Sequence, residues 1–355
     1  DCLLSRGLGD VYKRQVQISA DRKEINLVSI PRDSLVDVPQ CETSKGTIPA
    51  QYNVMFNSIF AGAYKTGGDL SSAASCTLNA VNSLTGLNIQ NFIVVDFAGL
   101  VKMIDSVGGV DLCIPQNVND PYTGLNLDKG MHHLDGVAAT QYARIRHGIG
   151  DGSDTSRTTR QQYLIKQLLS EALSKNLFTD TAQLYQLAKS ALKSLNISQG
   201  MADTAALAGL AMSLKNFTMT NLQTQTVPVV PAPSDPNRSV WTDEADNLWE
   251  KMRAGKPIFD TADSNSGDSS DTSSDNSASS DDSGTTDSNQ SDTTAETPDP
   301  VTGLITKSDG TLVDPSTGGT VDPDDGSIHD ATTGQYIGLA DRYLNATVCA
   351  VPAKN

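Results

Sequence analysis

The chain has 355 residues and a formal net charge of −16. The charge is uneven: residues 260–355 hold 18 acids and 3 bases, while residues 1–259 hold 24 acids and 23 bases and are nearly neutral. This balance leaves no nucleic-acid partner expected, and no run of about 18 apolar residues, the length of a membrane-spanning helix, occurs.

The opening stretch, DCLLSRGLGDVYKRQ, has neither helical nor strand periodicity. Residues 1–15 are therefore expected to be foreign to the fold, with the true N-terminus missing. From Val16 two β-branched runs, VQIS and INLVSI, flank ADRKE and predict a hairpin. Pro31 ends the second strand. Asn57 to Tyr64 reads as a helix stopped at Gly67-Gly68. Ser71 to Leu84 reads as a second helix, capped by Ser71 or Ser72. IQNFIVVDF is nearly all apolar and predicts a buried strand. FAGLVKMIDSV predicts a helix ended by Gly108-Gly109, and VDLCIP the next strand. LDGVAATQYAR is a helix approaching Arg144. A long helix follows from about Asp154 to Lys175, with Tyr163, Leu164, Leu168, Leu169 and Leu173 at helical spacing. Further helices are expected near Thr181–Leu195 and Ala202–Leu214. LQTQTVPVV is a late strand, and SVWTDEADNLWEKMRAGKPIF a terminal helix and strap. Strands alternating with helices predict an α/β domain, a mixed central β-sheet flanked by helices on both faces, over residues 16–259.

After Phe259 the character changes. Residues 260–298 are Ser, Asp and Thr with almost nothing apolar, and so are expected to be a disordered acidic linker. Residues 299–355 are acidic and turn-rich, with DPVTG at Asp299, DPSTG at Asp314 and DATTG at Asp330. A low-complexity extension is the expectation there, with a small β-meander as the alternative.

Five cysteines are present, one of them, Cys2, in the foreign segment. Cys41, Cys76, Cys113 and Cys349 form no CxxC pair, which argues against zinc. Disulfides in an oxidising compartment and isolated buried thiols both remain open. Cys41–Cys76 is the preferred pair, with Cys113 and Cys349 unassigned.

The chemistry concentrates in YARIRHGIGDGSDTSRTTRQQ, residues 142–162. Arg144 and Arg146 are two apart and project to one side if the chain there is extended. Arg157 and Gln161 are four apart on the long helix and share a face, with Arg160 beside them. The helix N-terminus, with Ser153 or Asp154 as cap, adds positive potential. Arg32 lies at the end of the second strand, in SIPRDS. Guanidiniums are planar forks suited to phosphate oxygens. The set predicts a site for a multiply charged anion such as a pyrophosphate. The competing reading is surface ion pairs with Asp33, Asp151 and Asp154, worth about 0–1 kcal/mol each. His147 sits near the arginines, in a loop role or assisting them. His132-His133 and KTGGDLSS read as a solvated turn and a helix end, not as metal or phosphate motifs.

LVSIPRDS, FNSIFAGAYKTGG, LTGLNIQNFIVVDFAGLVKMIDSVGGVDLCIP, LDGVAATQYARIRHG and SRTTRQQ stand in one order over Val16 to Val230. In this the sequence resembles the LytR–CpsA–Psr family of cell-wall glycopolymer ligases, and its paired cysteines and tail look most like actinobacterial members. The resemblance implies a membrane-anchored enzyme whose domain lies on the extracellular face of the cell membrane. It implies a polyprenyl-pyrophosphate-linked glycan as donor, its lipid in an apolar pocket, and a peptidoglycan hydroxyl as acceptor. It implies Arg32, Arg144, Arg146, Arg157 and Gln161 as the pyrophosphate clamp, with Asp33 and Arg160 in support and Asp33 orienting Arg32. It also implies Mg²⁺. The family's metal-holding aspartates precede the first strand pair, where SRGLGDVYKRQ does not match. The metal ligands and the membrane helix are therefore expected in a missing N-terminal segment. The alternatives are a polyprenyl-pyrophosphate-binding protein or pyrophosphatase without ligase activity, and a structural wall protein acting through its acidic tail.

Overall fold

The computed structural model describes residues 13–145, 154–174, 195–259, 297–332 and 336–350, with Ala182, Leu184, Tyr185, Ala188, Lys189, Leu192 and Gly334. The linker at 260–296, Arg146, His147 and most of the helix expected near Thr181–Leu195 lie outside the described residues.

Strands β1 (Lys13–Ile18) and β2 (Ile25–Ile30) pair antiparallel, from Lys13 opposite Ile30 to Ile18 opposite Ile25. The first strand thus begins three residues before the expected Val16. Lys13 and Gln15 are buried, so at least Lys13–Gln15 have a place in the fold. Next come β3 (Leu35–Val38) and β4 (Gln51–Met55), which pair with each other. Helices α1 (Phe56–Gly67) and α2 (Leu70–Thr85) follow. Gly68 ends α1 at φ 77°, a conformation glycine adopts without a Cβ clash. The cap of α2 is Asp69, not a serine: its carboxylate accepts from the Ser72 N–H at 2.7 Å.

The expected buried strand IQNFIVVDF shrinks to Ile93–Val94, paired only with Asn196–Ile197. Ile93 is 47% exposed. Phe92 and Val94 pack against the α1–α2 core, and Asp96 ends the run by capping α3 (Phe97–Ser106). Strands β5 (Val110–Ile114) and β6 (Gly130–Leu134) pair antiparallel. Helix α4 (Gly136–Arg144) follows, and then the long α5 (Asp154–Ser174). LQTQTVPVV is two strands, β7 (Leu222–Thr226) and β8 (Val229–Ala232), broken at Pro228, which lacks an N–H. β9 (Asp235–Trp241) pairs with β8, and α6 (Asp243–Arg253) closes this part.

β7 adds to β2 in parallel, opposite β1, making the central three-stranded sheet mixed. All six residues of β2 are buried because helices cover both faces. Val28 and Ile30 pack with Phe56, Ile59, Val81, Leu248 and Trp249 of α1, α2 and α6. Ile25 and Leu27 pack with Ile165, Leu169 and Leu173 of α5. Each such buried side chain contributes roughly 1.5–3 kcal/mol. Two disulfides are present, Cys41–Cys76 and Cys113–Cys349, with Cα atoms 5.6 and 5.7 Å apart.

The C-terminal extension corrects the low-complexity expectation. It is a five-stranded antiparallel meander: β10 (Ile305–Thr306), β11 (Leu312–Val313), β12 (Thr320–Val321), β13 (Ser327–His329) and β14 (Tyr336–Leu339). The D-x-x-x-G motif builds its turns. Asp299, Asp314 and Asp330 each accept from a backbone N–H two residues on, at 3.0, 3.4 and 3.0 Å. Gly303, Gly318 and Gly334 take φ of 76°, 70° and 69°, and each N–H returns to the aspartate carbonyl. DPDDG makes a fourth such turn, Gly326 to Asp322.

A candidate anion site at the end of the central strand

β2 delivers Arg32 just past its C-terminal end. The Arg32 carbonyl accepts from Asn57 N–H at 3.0 Å and the Ser34 carbonyl from Phe56 N–H at 2.8 Å, fastening this turn to the start of α1. Arg32 is partly exposed, with its Nε 3.3 Å from Asp33 Oδ2. Asp33 Oδ1 in turn lies 3.5 Å from Nη1 of Arg238 on β9. Asp33 therefore stands between two guanidiniums, which orients Arg32 and spends the carboxylate locally.

α5 is seated against the same end of the sheet. Gln162 donates to Ser29 Oγ on β2 at 2.9 Å and to Thr226 Oγ1 on β7 at 3.4 Å. Consecutive residues of α5 hold the end of α4. Arg160 donates to the Ile145 carbonyl at 2.6 Å and Gln161 to the Ala143 carbonyl at 3.0 Å. Arg144 lies between those two carbonyls and is exposed, its guanidinium carbon 4.3 Å from the Phe97 ring centroid at the start of α3. That geometry is a cation–π stack that holds a cation at the surface. Arg157 lies one helical turn before Gln161 and is only 3% exposed.

β1 adds two cations on opposite faces. Arg14 Nη2 donates to Gln161 Oε1 at 3.4 Å. Lys13 Nζ donates to Asn57 Oδ1 at 3.0 Å. Burial first, and the charge of Arg32 second, lower the Lys13 amine to about 8.

The bonds of Arg160, Gln161 and Gln162 thus join α5 to the end of α4 and to β2, the elements on or next to which Arg32, Arg144 and Arg157 stand. Arg160, 5% exposed and bonded to the Ile145 carbonyl, braces the α4–α5 junction, as Gln161 does through the Ala143 carbonyl. Arg146 lies outside the described residues, as does the cap of α5. Sequence reasoning missed Phe97, Gln162 and Arg238, and set Lys13 and Arg14 outside the fold. An aromatic at a helix start, a glutamine and a hairpin arginine carry no motif that singles them out.

Chemically, such a set binds and neutralises an oxyanion. The described residues of this set do not fit Mg²⁺. Among the described residues no group of three or more His, Cys, Asp or Glu could hold a metal ion, Asp33 is shared by two arginines, and an amine stands next to Arg32. A cleft of about 500 Å³ runs along α1 from Ser58 to Thr66, with Val38, Val54 and the Cys41–Cys76 disulfide in its walls.

The family model described as the LytR_cpsA_psr family matches residues 15–254. The chain is 28% identical over 221 residues to the "Cell wall biosynthesis protein LcpA" of Corynebacterium glutamicum, covering 60% of this chain and 42% of that protein. It is 28% identical over 245 residues to the "Polyisoprenyl-teichoic acid–peptidoglycan teichoic acid transferase TagV" of Bacillus subtilis, covering 67% and 56%. The crystal structure of B. subtilis TagV superposes with a TM-score of 0.50 at 22% identity, over 67% of this chain and 84% of that one. The chain spans about half the length of the curated relatives it matches.

Proposed function

This chain belongs to the LytR–CpsA–Psr family, and from that premise we propose that it transfers a glycopolymer from a polyprenyl-pyrophosphate carrier to peptidoglycan. One observation supports this reading above the others. α5 binds the end of β2 through Gln162 and the end of α4 through Arg160 and Gln161, so the elements that carry the proposed clamp residues are bonded to one another.

In the proposed reaction an acceptor hydroxyl oxygen attacks the phosphorus that carries the glycan. A new oxygen–phosphorus bond forms as the bond to the bridging oxygen breaks. Polyprenyl phosphate leaves with that electron pair, and the hydroxyl proton passes to solvent. Phosphoryl transfer of this kind depends on positioning and charge neutralisation. Arg32, Arg144 and Arg157 neutralise the two phosphates, and Gln161, bonded to the Ala143 carbonyl and to Arg14, holds the elements around them in place. Asp33 holds Arg32 in place. The cleft along α1 begins at Ser58, next to the Asn57 that bonds the Arg32 carbonyl, and there it would take the start of the lipid chain. A Mg²⁺ ion, proposed on the family resemblance, would need carboxylates other than those the described residues bring to the arginines, and no step is routed through it. The disulfides suit the extracellular face of the cell membrane.

The test is acceptor dependence. The protein is given a polyprenyl-pyrophosphate-linked glycan with and without a peptidoglycan fragment. Polyprenyl phosphate released only with the acceptor, and glycan recovered on it, is the expected result. Release without acceptor supports a pyrophosphatase instead, and no release in either arm sinks both.

A further inference from the structure

The C-terminal extension, the meander together with the short helical segment Asp341–Val348 that follows it, is fastened to α5, the helix that carries Arg157 and Gln161. The contacts fall on one stripe of α5. Thr159, Tyr163 and Lys166 recur at i, i+4 and i+7, the spacing of a single helical face. The Tyr336 hydroxyl bonds the Thr159 side chain. The Tyr163 hydroxyl donates to Asn345 Oδ1 at 2.6 Å and accepts from the Cys113 N–H at 2.9 Å. Lys166 Nζ lies 3.0 Å from Asp341 Oδ2 with both side chains mostly buried. Leu344 is fully buried in the core cluster that includes Tyr163, Leu164 and Ile145. Cys349 closes the arrangement through its disulfide to Cys113 on β5.

The stripe formed by Gln162, Ile165 and Leu169 faces the central sheet. α5 is thus held from two sides, by the sheet and by the C-terminal extension. Turning it by one residue, about 100°, breaks both sets of bonds together. Arg157 and Gln161 lie in the same two turns as Thr159 and Tyr163, so whatever fixes the rotation of α5 fixes the clamp.

We propose that the C-terminal extension, meander and helical segment together, is a clasp that sets the rotation of α5, with Tyr336, Asn345 and Asp341 as positioning residues for the transfer reaction. The proposal rests on the functional reading above for its effect on turnover, and on the geometry alone for its effect on the helix. Displacing a reacting group by about 1 Å lowers rate roughly a hundredfold, so loss of the clasp is expected in kcat and not in substrate capture.

Two experiments test it on the full chain. In the first, a protease site is placed between Ser279 and Ser280 and cut. The nicked protein with its Cys113–Cys349 bond intact is expected to keep its turnover. The nicked Cys349→Ala protein, after the C-terminal fragment is removed, is expected to lose ten- to a hundredfold in kcat with KM within threefold. Full turnover without the fragment overturns the proposal. If the remaining part does not stay folded, the second experiment decides. Lys166→Asp is expected to lower kcat roughly tenfold, and Lys166→Asp with Asp341→Lys to restore it. An unchanged kcat in folded Lys166→Asp overturns the clasp, as does a loss that the exchanged pair does not restore. If the wild-type protein shows no transfer, the functional reading has failed, and amide hydrogen exchange over residues 157–163 still tests the clasp. Faster exchange in Lys166→Asp, reversed by the exchanged pair, is expected; equal exchange in all three overturns it.

Discussion

Arg144→Ala should separate binding from stability. The Arg144 side chain is exposed and its contact is the face of Phe97 at 4.3 Å. A cation–π stack at an exposed site is worth about 0.5–1 kcal/mol, and alanine is a slightly better helix residue than arginine at the end of α4. The net loss of stability is therefore about 0.5 kcal/mol, which lowers the melting temperature of a domain this size by about 1–2 °C. The loss to chemistry is of another order. A guanidinium that meets phosphate charge in the transition state is worth about 2.7–4 kcal/mol, or roughly a hundred- to a thousandfold in rate. Thermal unfolding and acceptor-dependent release of polyprenyl phosphate, measured on the same preparation, give both numbers. A variant that melts with the wild type and keeps its transfer rate within threefold would refute the assignment of Arg144 to the clamp. Phe97→Leu supplies the companion result: a loosened Arg144 costs only a few fold, less than the residue's removal.

Three further outcomes follow from other parts of the molecule. Arg160→Met should lower stability by about 2 kcal/mol, because it strands the buried Ile145 carbonyl; denaturant unfolding measures it, and an unchanged midpoint would show that Arg160 braces nothing. The Lys13 amine, lowered to about 8 in the fold from 10.5, holds its proton more tightly in the unfolded chain, so stability rises from pH 8 toward 10.5 and the penalty is fully present below 8; Lys13→Met should remove that slope, and equal slopes in both proteins would contradict it. Replacing Cys41 and Cys76 together with alanine opens a loop with a sequence separation of 35, which loosens the unfolded chain by about 4 kcal/mol on loop-entropy grounds; the unfolding midpoint in the absence of reductant should fall accordingly, and no fall would mean that the bond does not constrain this part of the chain.

The sequence made the periodic parts of this fold readable. The hairpin of β1 and β2, the long α5 and the glycine stop after α1 follow from local spacing and turn chemistry. Their arrangement around β2 was also legible, since a strand apolar on both faces needs helices on both. What misled was context. IQNFIVVDF has the composition of a buried strand, yet among the described residues it pairs only with the two-residue strand Asn196–Ile197, while the place beside β2 is taken by β7. The meander was hidden for a different reason. Its strands are two to four residues long, too short for alternation to register, while its Asp and Gly turns look like low complexity. At the candidate site the arginines stood out by type and clustering. The bracing role of Arg160 did not, because its bond to the Ile145 carbonyl is made across the fold. Phe97 under Arg144 and Gln162 on Ser29 are long-range contacts that no local pattern announces.

Calorimetric titration with inorganic pyrophosphate bears most directly on the claim that arginines from separate elements form one clamp. The wild-type chain is expected to bind one equivalent, with affinity falling at least tenfold in each of Arg32→Ala, Arg144→Ala and Arg157→Ala. Equal affinity in the wild type and all three folded variants would contradict it.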